Sequence, residues 1–276
     1  MKKAVHVIAI AAFCCAASLL FAASGGSSSS KTKEAVARAK EEITTEEAYY
    51  IGRAVAGNVF GKYKRYTNKT LDTYLNKICM ALVIHSSDPV LYNGYHVAVL
   101  DSEELNAFST PGGHILITKG LVRCSNSEDS LAAIIAHELA HIQLKHPLKA
   151  IKTSRQLAVF SANDEVSKEE VKKEAQSVTD ALSSGYSKQS EFDADAFAVK
   201  LLADTGYNPQ AMVDMLKLLA EHIKGESKNS GLRKSHPSPK TRMVMIKPSV
   251  FTYNTYFEKD TTEARQKRYE AVMKTL

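Results

Sequence analysis

The chain has 276 residues and a formal net charge of +6, from 36 basic and 30 acidic residues. Hydrophobic residues make up 44% and charged residues 24%, which is enough for a sizeable core and excludes a fully disordered chain or a collagen-like repeat. Four cysteines at this length exclude a disulfide-rich scaffold, and so small a basic excess supports no nucleic-acid partner.

The N-terminal segment predicts export. A short basic start, Met1–Lys3, precedes an uncharged apolar run over 4–23 and then small residues. That order is typical of a secretory signal peptide over 1–24, although the length of the run also leaves an uncleaved N-terminal anchor open. We therefore expect an exported protein, periplasmic or envelope-associated, that contacts the membrane through its N-terminus if the segment is retained.

Composition divides the rest of the chain into three parts. Residues 25–45 are predicted to form a linker and a charged helix, 46–248 one domain, and 249–276 a C-terminal tail. Removal of the signal segment leaves two cysteines, Cys79 and Cys124. They are expected either to pair in an oxidising compartment or to be two buried free thiols.

Hydrophobic periodicity predicts a small sheet followed by a helical body. The predicted strands are Tyr95–Leu100, Leu105–Ser109 and Ile115–Thr118, and the predicted helices are 71–84, 128–146, 150–162, 168–182, 191–205 and 209–224. Proline at 147 is expected to stop the second of these helices. Because strands and helices do not alternate, the fold class is predicted as α+β rather than a doubly wound sheet.

One helix carries a metal-binding pattern. Residues 137–141 read His-Glu-Leu-Ala-His, and two histidines four residues apart lie on the same face of a helix. His137 and His141 are therefore predicted to bind one Zn²⁺, and Glu138, beside that face, is predicted to be the general base. The preceding segment 131–136 is apolar all round, so we expect the helix to be buried.

The third zinc ligand must come from elsewhere in the chain. The extended motif with a third histidine six residues after His141 is excluded, because Pro147 stands there, and His146 is expected at the surface. Glu191 and Asp195 share a face of an otherwise apolar helix, where two carboxylates repel each other unless a cation or a donor lies between them. We assign Glu191 as the third ligand and Asp195 as a group that orients a ligand histidine.

These motifs together resemble peptidase family M48, a family of zinc metallopeptidases within the gluzincins. The resemblance runs from about Glu46 to Lys247, and outside the metal motif it rests on Asn106-Ala107-Phe108, Pro111–Ile115, Thr118–Leu121, His236-Pro237 and Arg242. It implies a zincin-like α+β fold, mainly helical with a small sheet, one Zn²⁺ per chain and hydrolysis of peptide bonds. Without internal membrane spans, the chain resembles the soluble envelope members.

The family also implies roles for the flanking motifs. Asn106 and Ala107 are expected on an edge strand, to which an extended substrate can add by main-chain hydrogen bonds. His236 is expected to approach the zinc from a loop, where it either stabilises the oxyanion or occupies the open metal position. Arg242 is expected to support the site from further out.

The implied partners are polypeptides, in particular unfolded or misfolded envelope proteins, which makes protein quality control the expected role. The alternative is a non-catalytic chaperone-like or scaffold protein that binds extended polypeptides in the same cleft. Glu138 favours the protease, since a binding module has no need of a general base. A third interpretation, a structural surface protein, predicts no stoichiometric metal.

Overall fold

A computed structural model describes residues 41–160, 168–225, 235–254 and 262–276. The predicted signal segment and most of the predicted linker and charged helix lie outside these ranges. The strands are β1 Arg65–Tyr66, β2 His96–Leu100, β3 Ala107–Ser109 and β4 His114–Thr118. The helices are α1 Thr45–Lys62, α2 Lys69–Ile84, α3 Lys119–Cys124, α4 Glu128–Gln143, α5 His146–Phe160, α6 Lys168–Ser184, α7 Lys188–Thr205, α8 Ala211–His222, α9 Pro239–Asn254 and α10 Thr262–Met273, with a 3₁₀ turn at Ile223–Gly225.

The four strands form one mixed sheet in the order β1-β2-β4-β3. β2 and β4 are parallel, whereas β1 pairs with β2 and β3 pairs with β4 in antiparallel fashion. β3 is therefore an edge strand. The three longer strands were predicted in nearly these positions, and the α+β class with a small sheet and a mainly helical body is confirmed.

Helices cover both faces of the sheet. Alternate side chains of a strand point to opposite faces, so each strand contributes to two cores. Ile115 and Ile117 of β4 pack into the larger core with α2, α4, α7 and α8. Leu116 between them packs into a second core with Ile51 of α1 and Val178 of α6. The helix α4 is thus held between the sheet and the helical body.

The metal-motif helix α4 is buried along its length, as its apolar sequence predicted. Ser127 caps its N-terminus by accepting a hydrogen bond from the backbone N–H of Ser130 at 3.1 Å. The helix ends at Gln143, earlier than predicted, and Pro147 lies in the first turn of α5 instead of stopping α4. Proline fits there because the first N–H groups of a helix need no intrahelical acceptor.

The C-terminal helix α10 closes over the beginning of α4. Arg268 donates to Glu128 at 2.6 Å, and the hydroxyl of Tyr269 donates to the carbonyl of Ser125 at 2.6 Å. Cys79 and Cys124 are both buried and free. Within the described ranges, none of the helices combines the length and the apolarity that a membrane span requires.

Candidate metal centre

Two adjacent helices bring the three predicted ligands together. α4 carries His137 and His141 one turn apart, and α7, which packs against it, carries Glu191 in its first turn. The two Nε2 atoms are 3.2 Å apart, and Oε1 of Glu191 lies 3.5 Å from Nε2 of His141. One ligand atom from each residue lies within 4.8 Å of the others, and all three side chains are buried.

The cluster fits a zinc ion. Oε1 of Glu191 is buried and has no hydrogen-bond partner among the described residues. A buried carboxylate oxygen without a partner is costly, and a cation at this point would satisfy it. Two imidazole nitrogens and one carboxylate oxygen are also a donor set that catalytic zinc sites use.

The electrostatics of the cluster favour the protonation states that bind a metal. Burial raises the pKa of Glu191, but the charge and hydrogen bond of His236 outweigh it and hold this pKa below its usual range. Burial, together with the charge of His137, lowers the pKa of His141 well below its usual value. A charged carboxylate and a neutral imidazole are the forms that bind a metal.

Asp195 holds His137 from the side away from Glu191. Its Oδ1 lies 2.9 Å from Nδ1 of His137, one helical turn after Glu191 on α7. A neutral imidazole whose Nδ1 donates to this carboxylate presents its Nε2 lone pair to the ligand cluster. Arg242 of α9 donates in turn to both oxygens of Asp195, at 2.8 and 2.6 Å.

Glu138 lies next to the cluster, in the wall of a small, half-open cavity. The other lining side chains are mainly apolar: Ala107, Leu121, Ala133, Ile134, Met212, Met215, Leu216 and Leu219, with His137, His236 and Arg242. Glu138 itself is buried, with 4% of its surface exposed. The geometry therefore places a carboxylate beside the metal ligands and at an apolar cavity.

His236 reaches the cluster from the segment that precedes α9. Its Nδ1 contacts Oε2 of Glu191, and its ring centre lies 5.6 Å from that of His137. Burial lowers the pKa of His236, but the Glu191 carboxylate raises it above the usual value overall. The structure thus brings His236 next to two of the predicted ligands, His137 and Glu191.

Asn106 and Ala107 lie at the edge strand, beside the cavity. Asn106 immediately precedes β3, and its Oδ1 accepts a hydrogen bond from the N–H of Ala107 at 3.0 Å. The carbonyl of Asn106 pairs inward with the N–H of Thr118. Since neighbouring residues of a strand direct their backbone groups to opposite edges, those of Ala107 point away from the sheet.

The prediction that His146 lies at the surface is wrong. The residue is 2% exposed, and its Nδ1 lies 2.9 Å from Nδ1 of His141. Burial and the charge of Lys149 lower the pKa of His146 to about 4. The prediction failed because it extended α4 to residue 146, whereas α4 ends at Gln143 and Lys145, with φ 60°, is not helical.

Sequence reasoning also missed Tyr186. Its ring stacks on that of His141, with centres 4.7 Å apart, and its hydroxyl is buried with no hydrogen-bond partner among the described residues. Burial and the charges of Glu138 and Glu191 raise the pKa of Tyr186 well above its usual value. The sequence feature that could have indicated Tyr186 as a site residue is its position five residues before Glu191.

The sequence of the chain is similar to those of known proteases. The profile of peptidase family M48 matches residues 68–249. The chain is 26% identical over 185 residues to the β-barrel assembly-enhancing protease of Escherichia coli K12, across 63% of this chain and 38% of that protein. It is 26% identical over 182 residues to the metalloprotease YcaL of the same organism, across 64% of this chain and 68% of YcaL. It is 27% identical over 154 residues to the mitochondrial metalloendopeptidase OMA1 of Arabidopsis thaliana, across 55% of this chain and 31% of OMA1.

The chain spans 38% of the length of the β-barrel assembly-enhancing protease.

Proposed function

Because the chain belongs to peptidase family M48, we propose that it is a zinc-dependent metalloendopeptidase, with residues 46–248 as the catalytic domain. The observation that carries this proposal is the convergence of His137, His141 and Glu191 beside the carboxylate of Glu138. Three protein ligands leave a fourth position open, as in catalytic rather than structural zinc sites.

Each residue of the site has a defined task in this mechanism. His137, His141 and Glu191 would hold a Zn²⁺ ion, and Asp195 orients His137. Bound zinc supplies Lewis acidity, which polarises the scissile carbonyl and lowers the pKa of water. The carboxylate of Glu138 takes the proton of the attacking water and delivers it to the leaving amine nitrogen.

The edge strand β3 provides a place for the substrate. The outward carbonyl of Ala107 lies on the strand that borders the Glu138 cavity, whereas its N–H already donates to Asn106. An extended polypeptide that pairs with this edge would present a peptide bond to the site by main-chain contacts, which read no particular sequence. The proposed substrates are therefore unfolded or misfolded polypeptides.

His236 acts at the same centre in this proposal. A donor in this position either stabilises the oxyanion or occupies the open ligand position and keeps the enzyme inactive. Replacement of His236 by Ala separates the two roles, because peptide cleavage falls in the first case and rises in the second.

The proposed cellular setting is the envelope, where the enzyme serves protein quality control. The basic and then apolar N-terminal sequence supports export. The similarity to a protein named β-barrel assembly-enhancing protease supports a role in the envelope. The alternative, a chaperone-like binding protein, would use the same edge strand without needing Glu138.

The experiment that tests the proposal is the substitution Glu138→Gln. We expect cleavage of casein to fall by about 10²–10⁴-fold while one zinc per chain stays bound, because the amide keeps the size of the side chain and cannot accept the proton. Glu270→Gln, at an exposed glutamate of α10, is the matched control and should cleave like the wild type. A chelator should stop the wild-type reaction and added zinc should restore it. Cleavage by Glu138→Gln at the wild-type rate would exclude the mechanism.

A further inference from the structure

The two ligand histidines differ in what lies behind them. His137 has the carboxylate of Asp195 within 2.9 Å of Nδ1, whereas His141 has Nδ1 of His146 at the same distance. When Nε2 of His141 belongs to the ligand cluster, the proton of the neutral ring lies on Nδ1 and needs an acceptor. Nδ1 of His146, at hydrogen-bond distance, is placed to be that acceptor.

The turn between α4 and α5 creates this contact. Lys145 has φ 60°, in the left-handed region that residues other than glycine, asparagine and aspartate seldom adopt. His146 follows in the first turn of α5, with its Nδ1 against Nδ1 of His141. A backbone outlier of this kind persists only where the surrounding structure holds it in place.

A second aromatic ring completes the support of His141. The ring of Tyr186 stacks on His141 at an interplanar angle of 26°, and its centre lies 5.8 Å from the centre of the His146 ring. His141 is therefore held by a hydrogen bond at its Nδ1 edge and by an aromatic ring on its face. Neither contact involves Nε2, the nitrogen that faces Glu191.

We propose that His146 is a positioning residue for the metal centre: it accepts the Nδ1–H of His141 and thereby fixes the tautomer and orientation that present Nε2 to the ion. This inference rests on the proposed zinc function. His146 is not itself a ligand, since its Nδ1 faces the nitrogen of His141 that is remote from Glu191. The site thus orients one ligand with a carboxylate and the other with a second imidazole.

Two substitutions of nearly equal size separate hydrogen bonding from packing. His146→Asn places an amide oxygen where Nδ1 lies, whereas His146→Leu fills the same space without an acceptor. The measurement is the zinc Kd of the full chain, by competition with a chromogenic chelator, and the visible spectrum of the Co²⁺-substituted protein. We expect His146→Leu to raise Kd about 10–100-fold and to change the spectrum, and His146→Asn to stay within about threefold of the wild type.

The outcomes decide between the roles. Equal zinc affinity and an unchanged Co²⁺ spectrum in His146→Leu would overturn the proposal, and so would equal losses in the Leu and Asn variants. His146→Phe keeps a ring against Tyr186 without an acceptor, so it serves if the Leu variant does not fold, and it should bind zinc as weakly. His85→Leu, at an exposed histidine, controls for the loss of a histidine as such. A wild-type chain that binds no stoichiometric zinc would instead refute the proposed function.

Discussion

The guanidinium of Arg242 donates two hydrogen bonds to the carboxylate of Asp195, from Nε at 2.8 Å and from Nη2 at 2.6 Å. Both side chains are almost fully buried, and the same carboxylate lies 2.9 Å from Nδ1 of His137. One ion pair therefore joins α9 to α7 and both of them to a metal ligand. Burial lowers the pKa of Arg242, but Asp195 raises it overall, so the pair stays charged.

We expect Arg242→Met to lower the free energy of unfolding by about 3–5 kcal/mol, because it leaves the Asp195 carboxylate buried without a counter-charge. Chemical denaturation of the metal-free chain measures this loss. Lys240→Met, at an exposed position of the same helix, should stay within about 0.5 kcal/mol of the wild type. The double variant Asp195→Leu with Arg242→Met should regain part of the loss, since neither charge then stays unpaired. If Arg242→Met unfolds like Lys240→Met, the pair contributes nothing to stability.

The metal cluster was predictable from sequence because its geometry follows from helix periodicity. The four-residue spacing was sufficient to predict His137 and His141 as a pair of ligands. Glu191 was predicted because a second carboxylate, Asp195, shares its helix face. The pairing of two separate helices was a hypothesis until the structure placed α4 against α7. The apolar sequence around both motifs signalled that they would be buried against each other.

The contacts of His146 and Tyr186 were not predictable in the same way. His146 depends on the left-handed conformation of Lys145, and lysine carries no sequence signal for that conformation. Tyr186 lies outside the helical pattern of α7, so periodicity assigns it no face. Most of helix α1 was not predicted, although Ile51, Val55 and Val59 follow helical spacing.

The environment of His114 predicts that the free energy of unfolding depends on pH. This dependence does not involve the residues of the metal centre. Burial and the positive charges of His96 and Arg53 lower the pKa of His114 to about 4. An unfolded histidine titrates near 6.5, so the folded state binds this proton more weakly than the unfolded state does. The contribution of His114 to the free energy of unfolding is therefore complete above pH about 6.5 and falls as the pH approaches about 4.

His114→Gln should flatten this part of the profile. The measurement is the difference in unfolding free energy between variant and wild type, by urea denaturation from neutral pH down to about pH 4.5. His85→Gln, at an exposed histidine, is the control and should follow the wild-type curve. Parallel curves for His114→Gln and the wild type would show that His114 titrates alike in both states.

Two glycines with almost the same φ angle test how the His236 segment is held. Gly185 has φ +86° and Gly206 has φ +83°. A Cβ at Gly185 would lie 2.0 Å from the carbonyl oxygen of Ser235, whereas one at Gly206 would meet nothing within 4 Å. Both alanine variants therefore place a side chain at a positive φ, and only Gly185→Ala adds a clash with the residue that precedes His236.

Gly206→Ala should lower the free energy of unfolding by about 1–2 kcal/mol, which is the cost of a side chain in the left-handed region. Gly185→Ala should lose about 1–3 kcal/mol more, because the backbone at Ser235 has to move. Since this movement carries His236 away from Glu191, peptide cleavage by Gly185→Ala should change in the same direction as in His236→Ala, while Gly206→Ala should cleave like the wild type. Equal unfolding free energies and equal cleavage in the two glycine variants would show that the close approach of Gly185 to Ser235 does not position His236.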